Sequence, residues 1–186
     1  MKKTILIFSL VIGSFVVSTT QSFAQMEPMV GGEKMYPKKD IVENAVNSKN
    51  HTTLVAAVKA AGLGETLKGK GPFTVFAPVN DAFENLPEGT VETLLKPENK
   101  ATLTKVLTYH VVAGKMDAAT IMMKIKEGKG KAEMKTVSGG TLTAKMNGDK
   151  NVILVDEKGN TANISTYDVN QSNGVIHVID TVLMPN

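Results

Sequence analysis

Two nearly uninterrupted apolar runs a hundred residues apart, Thr74-Val-Phe-Ala-Pro-Val-Asn-Asp-Ala-Phe83 and Gly174-Val-Ile-His-Val-Ile-Asp-Thr-Val-Leu-Met-Pro185, constrain this fold more than any other feature. Alternate side chains of an extended strand point to opposite faces, so a strand that is apolar at every position must be covered on both. Such strands belong in the middle of a sheet. In the first run Phe73, Val75 and Ala77 share one face, and Thr74 and Phe76 the other. Pro78 cannot donate to a ladder and ends the strand or sits at an edge. Asn80 is then placed to cap a short helix by accepting from the N–H of Ala82 or Phe83, with Phe83 dropping back into the core. In the second run Val175, His177 and Ile179 face one way and Ile176 and Val178 the other, launched from an Asn173-Gly174 turn. His177, partly enclosed, needs a partner for each ring nitrogen it hides, and Asp180 follows as a group able to satisfy a neighbour.

The N-terminus reads as an export signal over residues 1–24. Lys2 and Lys3 precede an apolar stretch from Ile5 to Val17, and Ser22-Phe23-Ala24 offers small residues at a cleavage site. That stretch falls short of the roughly 20 apolar residues of a membrane span. Residues 25–36 read as a flexible lead-in without periodicity, and residues 37–186 as one domain. There is no cysteine, so the expected exported chain rests on hydrophobic burial alone and carries no lipidated N-terminal cysteine. With no apolar C-terminal tail either, the expectation is a secreted or periplasmic protein released without an anchor.

All 21 basic residues are lysine, and the balance is close to neutral once Lys2 and Lys3 are removed. Phosphate recognition favours arginine forks and base stacking favours aromatic platforms. The chain has no Arg and no Trp, which argues against nucleic acid.

Along the chain, short helices are expected over Asp40–Asn47, from Thr52 or Thr53 to a Gly62 cap, over Glu65–Lys68, Asn80–Asn85 and Val91–Leu95, from Pro97 to about Leu107, and from an Asp117 cap to near Gly128. Strands are expected at Phe73–Ala77, Tyr109–Val112, Lys131–Val137, Thr141–Met146, Asn151–Asp156, Thr161–Thr166 and Val175–Leu183. Turn signals such as Asn147-Gly148 and Asn173-Gly174 separate them. Helices first and strands afterwards give an α+β chain with segregated layers.

Four ordered motifs resemble the fasciclin (FAS1) domain family: Thr52 to Gly62, Gly71 to Pro78 with Asn80 and Phe83, Leu107-Thr-Tyr-His-Val-Val112, and Gly174 to Pro185. The likeness runs from about Pro37 to Asn186, and Val79 departs from it by standing where the family usually has Thr or Ser. The resemblance implies a FAS1-like wedge of β-strands with a layer of short helices packed against it. It also implies a non-catalytic, extracellular interaction module, linked to cell adhesion or to matrix or polysaccharide binding. Its partner would be an extracellular protein or polysaccharide, and Tyr109 and His110 would be a candidate partner-binding surface. Thr74, Phe76, Pro78, Asn80, Phe83, Gly174, His177 and Asp180 would be its structural motif residues.

The residues by themselves leave His110 either a half-buried structural histidine or a ligand contact. Neither a cofactor nor a metal is expected, because His51, His110 and His177 lack ligand spacing and no thiolate is present. Gly64-Glu-Thr-Leu-Lys-Gly-Lys-Gly71 misses a phosphate loop by its last residue and follows no strand. The lysine run Lys124, Lys126, Lys129, Lys131 and Lys135 reads as a solvated helix end, with an anionic polysaccharide contact as the sharper alternative. An envelope structural or stress protein, or a carboxylate-dependent hydrolase, are the other functional classes. The hydrolase lacks a nucleophile elbow or a framed acid pair.

Overall fold

The computed structural model describes residues 27–186; the expected export signal lies outside them. Its helices are α1 (Ile41–Ala45), α2 (Thr52–Ala61), α3 (Gly64–Leu67), α4 (Asn80–Glu84), α5 (Thr90–Leu95), α6 (Lys100–Tyr109) and α7 (Ala118–Glu127). A two-stranded hairpin, β1 (Met29–Val30) and β2 (Glu33–Lys34), opens the described chain. The main sheet comprises β3 (Phe73–Pro78), β4 (Val111–Ala113), β5 (Lys131–Lys135), β6 (Thr141–Asn147), β7 (Asn151–Val155), β8 (Thr161–Gln171) and β9 (Gly174–Ile179), in spatial order β4-β3-β9-β8-β7-β6-β5. This is the expected α+β wedge.

The two apolar runs lie side by side. β3 and β9 pair in parallel from Phe73 opposite Gly174 to Pro78 opposite Ile179, and every residue of β9 is buried. One face of this pair sends Phe76 and Ile179 into a core with Tyr109, Ile121, Ile125, Leu142, Leu154 and Leu183. The opposite face packs Val75, Ala77, Ile176 and Val178 against Val111, Val169 and Ile41. Burying one side chain of this size contributes roughly 1.5–3 kcal/mol, so covering both faces of two adjacent strands dominates the stability of the centre. Gly174 permits the close pairing: a Cβ there would stand 2.2 Å from the Phe73 carbonyl oxygen.

β8 bends the sheet into a near-barrel. Its first residues pair with β7, and from Ile164 onward it pairs with β9 through two register shifts around Thr166. Asp168 sits beside the second shift at φ +57°, the left-handed region that a bulge can demand. The sheet ends, β4 and β5, then meet at a single bridge between Val112 and Thr136, reinforced by the Val137 N–H donating to the Val111 carbonyl at 2.8 Å.

Three expectations change. The segment 25–36 is no free lead-in over its described part: Val30 and Met35 are buried against the β3/β9 face, two apolar residues too widely spaced to show periodicity. Tyr109 is the last residue of α6 and His110 its C-cap, so the strand there begins only at Val111. Asn80 does not cap its own helix, whose N-cap is Val79 without a side-chain bond.

Other local signals hold. Asp40 forms a capping box with Glu43, Gly62 closes α2 in the left-handed conformation, and Asp117 accepts from the Thr120 N–H. That bond holds the Asp117 carboxyl below its ordinary range.

Candidate functional site

Each sequence-selected polar residue ties one element to another. Asn80, displaced from capping α4, accepts at Oδ1 from the Thr53 N–H (3.1 Å) and the Thr52 hydroxyl (3.2 Å), and its Nδ2 donates to the Lys49 carbonyl (2.9 Å). It therefore caps α2 from across the fold, where His51 supplies no cap of its own. Phe83 anchors the other side of α4 against Val106 and Val182.

Thr74 and His177, one from each apolar run, hold the same stretch of backbone. The Thr74 hydroxyl donates to the Gly114 carbonyl (2.7 Å) and accepts from the Met116 N–H (2.8 Å). From the next strand, His177 Nε2–H donates to the Met116 carbonyl (2.8 Å), and its ring stacks on Phe76 with centroids 5.6 Å apart. Asp168 completes the clamp by accepting from the Ala118 N–H (2.7 Å) at the start of α7. The segment between β4 and α7 is thus fixed by the sheet centre. Asp180 works elsewhere, accepting from both the backbone and side-chain nitrogens of Asn163 at 2.8 Å. Burial acts to raise the Asp180 pKa, but these bonds outweigh it and hold the carboxyl below its ordinary value.

Tyr109 and His110 are enclosed, at 0% and 4% exposure. The Tyr109 hydroxyl donates to the Thr141 carbonyl (2.7 Å) and accepts from the Glu157 N–H (3.1 Å), joining α6 to the ends of β6 and β7. Gly140 leaves room for the ring, since a Cβ there would come within 2.7 Å of it. His110 Nδ1–H donates to the Val106 carbonyl (2.9 Å), and Nε2 accepts from the Leu183 N–H (3.0 Å). Burial pushes the tyrosine pKa up to about 12 and the histidine pKa down to about 4. The two residues expected as a candidate partner-binding surface are thus enclosed, each buried and hydrogen-bonded to backbone.

Two asparagines the sequence reading overlooked do similar work. Asn173 Oδ1 accepts from the Ile41 N–H (3.1 Å) while Nδ2 donates to the carbonyls of Leu67 (2.7 Å) and Gly69 (3.0 Å). Asn44 brackets Tyr36 with bonds to its N–H and carbonyl and donates to Gln171 Oε1. Both residues are buried; the sequence marked Asn173 only as a turn residue and Asn44 only by its polarity within a short helix.

The open surface lies elsewhere. A groove of about 590 Å³ follows the seam between β4 and β5, lined in part by Ala113, Met116, Lys124, Glu133, Lys135 and Val137. A shallower hollow of about 320 Å³ lies beside α4 and α5. Among the described residues, no group of three His, Asp or Glu is placed to hold a metal ion, and no helix is long and apolar enough to cross a membrane.

Comparison with known proteins agrees with this architecture. The Fasciclin domain family matches residues 49–185. Protein sll1483 of Synechocystis is 51% identical over 145 residues, covering 78% of this chain and 73% of that protein. Immunogenic protein MPB70 of Mycobacterium bovis is 36% identical over 146 residues, covering 76% of this chain and 66% of the relative. Transforming growth factor-beta-induced protein ig-h3 of Sus scrofa is 36% identical over 135 residues, which is 72% of this chain but 18% of that longer protein. Among solved structures, a FAS1 domain pair from the insect cell adhesion molecule fasciclin I superposes with a TM-score of 0.69 at 16% identity, over 78% of this chain and 51% of that one.

Proposed function

This chain belongs to the fasciclin family, and we propose that it is an extracellular interaction module, non-catalytic, that binds a protein or polysaccharide partner through its exposed surface. One observation carries the reading. The polar groups of the family-like motifs, at Thr74, Asn80, Tyr109, His110 and His177, are engaged with backbone inside the fold and are not presented to a substrate. A buried group that already has its partners is a structural tie. We assign Tyr109 and His110 that supporting role. Relatives described as a cell adhesion molecule and as an immunogenic protein are consistent with an exposed, exported setting. The N-terminal export signal fits the same reading, with the mature protein in the periplasm or outside the cell.

The test is a binding screen of the purified protein against immobilised extracellular proteins and polysaccharides, alongside a hydrolase substrate panel. Saturable binding without turnover is expected. Turnover of any panel substrate, or no binding to any polymer, ends the proposal.

A further inference from the structure

Among the described residues the sheet closes on itself at one bridge, between Val112 and Thr136, and what lies beyond it on β5 is an edge without a partner strand. In the register of β5 with β6, Thr136 donates to the Gly140 carbonyl, and Met134 lies opposite Leu142 and Ala132 opposite Ala144. Antiparallel pairing alternates, so the even-numbered residues turn their N–H and C=O toward β6 and the odd-numbered ones turn theirs away. Val137 obeys this by donating outward to Val111 of β4. Glu133, three residues before the bridge residue Thr136, also points outward, and among the described residues no hydrogen bond falls on its N–H or C=O. There β4 and β5 have separated, and the groove of about 590 Å³ occupies the gap, within the roughly 300–1,000 Å³ range of ligand clefts.

The walls are fixed and charged. One wall is the Gly114–Met116 segment clamped by Thr74 and His177. The other is β5, whose exposed side chains are Lys131, Glu133 and Lys135, with Lys124 of α7 beside them. Lys131 already neutralises Glu133 at 2.8 Å, and among the described residues Lys124 and Lys135 make no salt bridge on the groove. A second copy of the chain is a poor occupant. Antiparallel self-pairing about Glu133 would set Lys131 against Lys135 and Glu133 against itself, all like charges.

We propose that this seam is a docking edge for an extended acidic peptide strand of a partner protein, which would add to β5 by backbone hydrogen bonds at Glu133 and set carboxylates against Lys124 and Lys135. The proposal rests on the interaction-module reading and names its partner class. Strand addition draws affinity from main-chain bonds and selectivity from alternate side chains, the two resources this edge displays. The open stretch is short, because the Lys131 N–H already turns to the Gly128 carbonyl (3.5 Å) and Thr136 is bridged to Val112, so a docked strand would bond the backbone at Glu133 and run on toward Lys135.

The experiment titrates the purified protein into a fluorescein-labelled peptide of alternating valine and glutamate, read by anisotropy. Saturable binding is expected, weakened roughly tenfold or more in a Lys124→Glu/Lys135→Glu variant. Methylating the peptide amides that face β5 should abolish binding, and hydrogen exchange at the Glu133 amide should slow when the peptide is present. Glu133→Pro, tolerated at an unpaired edge position, removes the outward donor together with the Lys131 ion pair, so it is compared with Glu133→Ala, which loses the ion pair alone, and should bind more weakly than that control. Absence of binding, unchanged affinity for the methylated peptide, or displacement by polygalacturonate with methylation immaterial would each overturn the proposal. If a partner from the polymer screen binds the doubly charge-reversed variant as well as the parent, the seam is wrong and the module stands. An empty screen together with no peptide binding removes both readings.

Discussion

The centre of the sheet and its seam belong to one sheet, but β9 is buried on both faces while β5 alternates, and they hold opposite kinds of surface. At β3 and β9 both faces are buried and the polar side chains of Thr74 and His177 bond the Gly114–Met116 backbone. At the seam, where β4 beside β3 meets β5, four strands from β9 the other way round, a bridge closes the ring, and among the described residues the backbone of Glu133 has no partner and Lys124 and Lys135 make no salt bridge. The contrast teaches that motif residues in this fold set the shape of a surface from beneath and do not form it. Substitutions at the centre should therefore act on stability, and substitutions at the seam on binding.

The most disruptive way to break this contrast is Gly174→Val. Its Cβ would collide with the Phe73 carbonyl, and because backbone cannot step aside cheaply, the β3/β9 pairing must open. A loss of about 4 kcal/mol or more is expected in urea unfolding, with insoluble expression as the extreme outcome. A soluble variant within 1 kcal/mol of the parent, by the same roughly drawn scale, would mean the parallel pair is not the keystone.

Acid comes next. His110 binds a proton near pH 4 in the fold and near 6.5 when unfolded, because burial disfavours its charged form. Between those values the unfolded chain carries more protons, so stability is complete above about 6.5 and declines as pH falls toward 4. His51 and His177 are shifted the same way, also by burial. The His110 contribution alone is on the order of 3 kcal/mol. Asp117 and Glu157 are held low by hydrogen bonds, from Thr120 and from the Asn186 and Thr141 backbone respectively, and lose their contribution only below about pH 4, a separate window. Urea midpoints at pH 7, 5.5 and 4.5 check this, and a flat profile across them would show that His110 is not enclosed as described.

Tyr109→Phe keeps the ring and strips its hydroxyl, leaving the Glu157 N–H and Thr141 carbonyl without that partner. A loss of about 1–2 kcal/mol is expected by thermal or urea unfolding, with peptide binding at the seam unchanged. Val79→Thr should move the other way. Val79 is the N-cap of α4 and offers no acceptor, and a threonine of the same shape supplies one, for a gain of about 0.5 kcal/mol in thermal unfolding. The smallest stability effect belongs to Lys124→Glu, exposed on α7, where a change within about 0.5 kcal/mol is expected together with weaker acidic-peptide binding. A large stability loss there would blur the line between centre and seam.

Much of the fold was legible because its signals are local. Asp40, Gly62 and Asp117 mark helix ends by groups within a few residues of their targets, and the structure uses them so. Asn80 showed the limit: its sequence position suits a local cap, but a helix start 27 residues upstream offers its N–H instead. Asn173 reaches Ile41 across 132 residues, a distance no motif encodes. Tyr109 and His110 read as the start of a strand and, through the family resemblance, as a candidate surface, but α6 runs on through Tyr109 and both rings turn inward.

What the sequence determined unaided is which segments had to be inside, since a strand apolar on both faces has no stable place but between two layers. Which residues the finished surface shows was left to tertiary structure. Exposure depends on how the sheet bends at β8 and on where its two ends fail to meet, and both are set by contacts between residues far apart in the chain.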